Sequence, residues 1–153
     1  MHLRTQLAGK HGILVLSQEQ AVAYTPKSGS VLLRIGHPGE DFLTIPKEHL
    51  YLDVQRHQFD DVDTPEFGIV LGNEQAVNIA DFIRRHVGLF FVVHCRAGRS
   101  RSAACAAAWA AYNGLKEAEA DIFKYFPTLN MRVYRTVLEA CWGSRPCRIN
   151  LFP

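Results

Sequence analysis

The stretch Val93-His-Cys-Arg-Ala-Gly-Arg-Ser-Arg-Ser102 holds the residue types most able to do chemistry. A cysteine can be a nucleophile, a metal ligand or a disulfide partner. No Cys-x-x-Cys pair occurs, and the seven histidines are scattered, so zinc is not expected. Cys95, between a strand-like run and a helix-like one, reads as a nucleophile, which acts as the thiolate. Arg101 follows at a spacing of six. A guanidinium at that reach can fold back and grip two oxygens of one oxyanion. The loop of Arg96, Ala97, Gly98, Arg99, Ser100 and Arg101 can turn its N–H groups inward, with Gly98 supplying the φ freedom this demands. Inward N–H groups beside a helix N-terminus make a phosphate site. The same positive field favours a thiolate at Cys95. Ser102 can hydrogen-bond the sulfur and make it a better leaving group. His94 is expected to donate to backbone and shape the loop rather than act as a base.

Such a loop needs a strand before it and a helix after it. Leu89 to Val93 are five apolar residues in a row, which suits a central strand covered by helices on both faces. Ser102 to Tyr112 is dominated by alanine, the best helix former. Cys95 is thus placed at the carboxyl end of a buried strand, where open α/β sheets bind ligands.

The remaining pattern alternates strands and helices. Ile13 to Leu16 and Ser30 to Ile35 read as strands, with Ser17 capping a short helix through Val22 and a turn at Thr25 to Gly29. His49 to Val54 reads as a third strand. Asn73 is the expected cap of a helix whose apolar face is Ala76, Ile79, Ala80, Phe82 and Ile83, with Gly88 as its stop. Helices are expected over Leu115 to Phe126 and Leu129 to Trp142, and an irregular tail over Ser144 to Pro153. The expected fold class is α/β: a central, mostly parallel sheet flanked by helices, a strand–phosphate loop–helix signature and a helical C-terminal half. At 153 residues, a single domain spanning 1–153 is expected.

The motif His-Cys-x-x-Gly-x-x-Arg-Ser, as His94 to Ser102, resembles the signature loop of the cysteine-based protein tyrosine phosphatase superfamily, most closely its small dual-specificity branch. The resemblance covers roughly Ile13 to Trp142 and is strong from Phe59 to Tyr112. It implies a two-step reaction through a cysteinyl-phosphate, with no metal or other cofactor. It also implies an aspartate general acid about thirty residues earlier. The acidic loop Phe59 to Glu66 offers Asp60, Asp61 and Asp63 there. Phe59-Asp-Asp61 resembles the strand-end aspartate of bacterial and lipid-directed members. Asp63-Thr-Pro-Glu-Phe67 resembles the acid loop of compact eukaryotic members. Asp61 is favoured, with Asp63 the alternative. Asn130, after Phe126-Pro-Thr, resembles a polar residue that braces the signature loop in relatives. Lipid-directed members carry basic residues at the positions of Arg96 and Arg99.

Composition bounds the function. Hydrophobic residues are 48%, charged residues 21% and net charge +2, which is ordinary globular composition and too mild to argue for nucleic acid or a membrane surface. No window approaches the ~18 apolar residues of a membrane span. No signal-peptide pattern occurs, and Cys95, Cys105, Cys141 and Cys147 crowd into the last part of the chain, unlike a disulfide framework. A soluble, cytoplasmic protein is expected, with Cys105 packed in its helix and Cys141 and Cys147 as inert thiols. The expected partner is a phosphorylated protein or another phosphomonoester, with phosphotyrosine preferred. Arg96 and Arg99 keep phosphoinositides, inositol phosphates and an RNA 5′-triphosphate end in play. A catalytically silent phosphate-binding module is the non-enzyme alternative. Arsenate reduction is disfavoured, because there the loop precedes the aspartate.

Overall fold

The apolar run ahead of His94 forms the axis of a four-stranded sheet. The structure, a computed structural model, describes residues 11–143. Strand β4 (Phe90–Cys95) lies between β1 (Ile13–Ser17) and β2 (Ser30–Gly36), and β3 (Asp53–Gln58) forms the edge beside β2. All three pairings are parallel. In register, Val93 sits beside Val15 and Leu33, and His94 beside Leu16 and Arg34.

Successive side chains leave opposite faces of a strand. Phe91, Val93 and Cys95 face the larger core with Ile13, Val15 and Leu33, while Val92 faces the smaller one with Leu14, Leu16 and Leu32. The smaller face is covered by α1 (Gln18–Ala23), through Ala21, and by Ile45 and Tyr51. On the larger face lies α3 (Arg101–Tyr112), against β4 and β1. Its residues from Arg101 to Ala110 are all buried, so alanine serves here as a spacer that lets sheet and helices approach on every side. Helices α4 (Lys116–Tyr125) and α5 (Met131–Gly143) pack on α3, and α5 also packs on α2 (Asn73–Arg85). The apolar stripe of α2 is buried as its spacing demands; Ile79, Phe82 and Ile83 alone contribute roughly 5–9 kcal/mol of transfer free energy as an upper bound. No helix among the described residues is long and apolar enough to cross a membrane.

Three boundaries differ from the sequence reading. The third strand is Asp53–Gln58, and the apolar segment before it holds a 3-10 turn at Glu48–Leu50. Leu50 and Leu52 are exposed there, at 47% and 64%, and only Tyr51 turns inward. An edge strand needs few apolar side chains, so its polar sequence hid it. Helix α2 is preceded by Gly72 rather than capped by Asn73; the Gln75 side chain accepts from the Gly72 N–H at 2.9 Å. Helix α5 starts at Met131, because Asn130 Oδ1 accepts from Val133 N at 3.0 Å and caps it. The tail from Ser144, with Cys147, lies outside the described residues.

Candidate functional site

Strand β4 ends at Cys95, and α3 begins six residues later at Arg101. The turn between them is forced into shape by Gly98. Its φ is +70°, and a Cβ there would lie 2.5 Å from Ser17 N and 2.6 Å from Leu16 C, both backbone atoms. The loop is thus seated on the junction of β1 and α1. A second tie runs from Gln18 N to the Arg96 carbonyl at 3.2 Å. Ser17 itself is fixed by a reciprocal cap with Gln20.

Inside this turn Cys95 is 2% exposed. Its Sγ lies 3.0 Å from Ser102 Oγ and accepts from Gly98 N at 3.3 Å. Arg101 is buried and folds back across the strand ends. Its Nη1 donates to the Phe59 carbonyl at 2.7 Å and the Gly36 carbonyl at 3.3 Å, while its Nε is buried with no partner. Two carbonyls at the ends of β3 and β2 therefore aim the guanidinium, and a donor remains for an anion. Ala97, Arg96 and Arg99 are exposed on the rim. Arg96 faces Glu40 at 3.8 Å, a loose pairing between solvated groups.

The acidic loop divides its three carboxylates. Asp60 is spent on structure: Oδ2 accepts from Ile69 N at 2.7 Å, and Oδ1 meets His37 Nδ1 at 3.2 Å. Asp61 reaches the loop between β4 and α3, its Oδ1 accepting from Ser100 Oγ at 2.8 Å and from Asn130 Nδ2 at 2.9 Å. Asp63 is exposed and offers its backbone carbonyl to Arg132 Nη1 at 3.2 Å. Asn130 joins everything: it caps α5, holds Asp61 and the Val62 carbonyl, and donates its own N–H to Ser100 O at 3.4 Å. The structure therefore brings Cys95, Gly98, Ser100, Arg101, Ser102, Asp61 and Asn130 to one place. It holds Asp63 one step further out.

A buried arginine went unread in the sequence. Arg34, in the middle of β2, is 2% exposed. Its Nε donates to His94 Nε2 at 3.0 Å, Nη1 to Glu48 Oε2 at 2.9 Å and Nη2 to the Leu43 carbonyl at 2.5 Å. Glu48 is also held by Arg56. Accepting at Nε2 leaves the His94 proton on Nδ1, 3.5 Å from the Cys95 carbonyl. Burial, then the neighbouring Arg34 charge, pushes the His94 pKa down to about 4. His94 is thus a neutral imidazole held between the Arg34 guanidinium and the Cys95 carbonyl. The signal was an arginine inside the apolar run Val31-Leu-Leu-Arg-Ile35. Cys105 is fully buried, and burial pushes its thiol pKa far up.

Solved structures with this arrangement of strands and helices exist. Human DUSP28 superposes with a TM-score of 0.60 at 14% identity, over 87% of this chain and 90% of that one. Tk-PTP in its active form gives 0.56 at 19%, over 83% and 90%. The chain has the dual-specificity phosphatase fold. PTPMT1, crystallised with PI(5)P, shares this phosphatase fold at a TM-score of 0.50 and 17% identity, over 86% and 90%. No family model matches the sequence, and no curated protein matches it.

Proposed function

We propose that this chain is a cysteine-dependent phosphatase acting on phosphoprotein monoesters, phosphotyrosine first. One observation carries the reading: Cys95 Sγ meets Ser102 Oγ and the Gly98 N–H, and the buried Arg101 that closes the same loop is anchored by two carbonyls and keeps an unpartnered Nε. In the first step the Cys95 thiolate attacks phosphorus, a P–S bond forms and the ester P–O bond breaks. Arg101 and the loop N–H groups hold the equatorial oxygens as charge redistributes. Asp61 is the general acid: Oδ1 is held by Ser100 and Asn130, and Oδ2 carries the proton to the leaving oxygen. In the second step Asp61 takes a proton from water, water attacks phosphorus, and the P–S bond breaks. The Ser102 hydroxyl stabilises the departing thiolate. Arg34 and His94 position the strand end from beneath.

The test is turnover of a phosphotyrosine peptide. Cys95→Ser is expected to abolish turnover while retaining phosphate binding, and the native protein quenched in acid is expected to carry one phosphoryl group on Cys95. Full activity of Cys95→Ser would sink the reading. Absence of any trapped intermediate together with absence of turnover would leave a binding module.

Arg96 and Arg99 favour a second reading. Both are exposed on the loop rim, and Arg96 has only the loose Glu40 pairing. A phosphoinositide or inositol phosphate would supply the extra negative charge such a rim attracts, and PTPMT1, which shares the fold, was crystallised with PI(5)P. An RNA 5′-triphosphate end carries similar charge. A panel of these polyanions beside phosphopeptides separates the readings.

A further inference from the structure

The two carbonyls that aim Arg101 lie at the ends of adjacent strands, Gly36 closing β2 and Phe59 just past β3. Gly36 O also accepts from Phe59 N at 3.2 Å, so the strand ends are hydrogen-bonded where the guanidinium docks. The residue after each carbonyl reaches toward the other: His37 Nδ1 lies 3.2 Å from Asp60 Oδ1. A carboxylate only accepts, so Nδ1 carries the proton in this contact. Gln58, at the end of β3, adds bonds from Nε2 to the Glu40 carbonyl at 2.6 Å and the His37 carbonyl at 3.3 Å. Asp60 has a second attachment. Its N–H donates to the Ile69 carbonyl at 2.7 Å, and its Oδ2 accepts from Ile69 N at 2.7 Å. These two bonds close the base of the loop that carries Asp61 and Asp63. Gly68 makes the room, since a Cβ there would lie 2.6 Å from Asp60 Oδ2.

We propose that Asp60 is a positioning residue of the reaction: through His37 it holds the strand ends whose carbonyls aim Arg101, and through Ile69 it holds the loop that presents Asp61. The proposal rests on the phosphatase reading given above. Both Asp60 oxygens are engaged, one with His37 and one with Ile69, so this carboxylate orients other groups rather than moving a proton. A guanidinium held by two carbonyls points where they point. A small shift of either strand end therefore turns the donors that remain for the phosphate. The His37 and Asp60 side chains are 44% and 21% exposed, so their pairing contributes little to stability. Its effect lies in direction, and one side chain couples the anion clamp to the acid.

The experiment measures kcat and KM on a nitrophenyl phosphate and an alkyl phosphate, beside calorimetric titration with inorganic phosphate. His37→Ala removes the Arg101 side of the clasp alone, at an exposed position where folding is not at stake. It is expected to weaken phosphate binding about threefold and to raise KM equally for both substrates, the size of one partly exposed pair. Asp60→Ala is expected to add a fall of about 10–10²-fold in kcat on the alkyl phosphate and little on the nitrophenyl phosphate, because only the poor leaving group needs Asp61 in place. Gly68→Ala, whose Cβ would meet the Asp60 carboxylate, should repeat the Asp60→Ala pattern. Asp60→Asn keeps an oxygen for Ile69 N and should restore the alkyl phosphate rate. If Asp60→Asn is as slow on that substrate as Asp60→Ala, the carboxylate moves the proton itself and the proposal falls. Equal phosphate affinity with and without His37→Ala would overturn it, as would a loss of stability to urea in Asp60→Ala with kcat, KM and phosphate affinity unchanged. Turnover that survives Cys95→Ser would instead end the phosphatase reading, and phosphate titration of Cys95→Ser with and without His37→Ala still decides the clasp.

Discussion

Acidification from about pH 7.5 to about pH 5 is expected to cost the fold about 2 kcal/mol at His94 alone. The imidazole is fully buried against the Arg34 guanidinium on β2, with the Arg101 charge a smaller influence, next to Cys95 on its own strand. Protonating it would remove the acceptor that Arg34 Nε uses and set two cations face to face. Its pKa is accordingly about 4 in the folded chain, against 6.5 for a free histidine. The folded state therefore binds fewer protons than the unfolded state between these values. This contribution is fully present above about pH 6.5 and is lost as pH falls toward 4, reaching roughly 3 kcal/mol in all. The assay is urea denaturation at a series of pH values, for the native chain and for His94→Asn, which removes this titration while other carboxylates and histidines still titrate in both. The native chain should lose about 2 kcal/mol more than the variant by about pH 5. Parallel stability curves for the two proteins across that range would refute the neutral, Arg34-bound histidine.

Other expectations follow from the same geometry. Asp61→Asn should slow hydrolysis of an alkyl phosphate by about 10²–10⁴-fold and of a nitrophenyl phosphate far less, since only the poor leaving group needs the proton; a larger effect from Asp63→Asn would transfer the role to Asp63. Gly98→Ala should abolish turnover, because its Cβ would press on the backbone at Leu16 and Ser17 and its φ is positive; a crystal structure or phosphate titration showing an intact loop would contradict this. Phe82→Ala should lower stability by about 3–5 kcal/mol without altering KM, measured by urea denaturation and steady-state kinetics, because the side chain is fully buried in the core on α2 and packs edge-on to Phe91.

Local pattern was a reliable guide where one element decided the outcome. The run from Leu89 to Val93, the alanine-rich helix after it and the apolar stripe of α2 carry their own periods, and each lies where its spacing placed it. The edge strand failed this test. Among the described residues Asp53–Gln58 pairs with β2 alone, so its side chains need not be apolar, and the more apolar segment before it drew the assignment instead. Arg34 failed it for the opposite reason: a charged residue in an apolar run has meaning only once its partner is known, and His94 lies 60 residues away.

The sequence by itself determined the order strand, cysteine, glycine-bearing loop, arginine, helix. Those residues lie within ten positions, so short-range backbone geometry is enough to bring the thiol and the guanidinium to one turn. Tertiary structure decided which carboxylate joins them. Asp61 meets Ser100 across 39 residues and Asn130 across 69, contacts that exist only once the sheet edge and the start of α5 close on the same loop. It also decided where the guanidinium of Arg101 points, because the carbonyls that aim it come from the ends of two other strands. Local spacing can supply a nucleophile and an anion clamp; only packing supplies the partners that hold them in register.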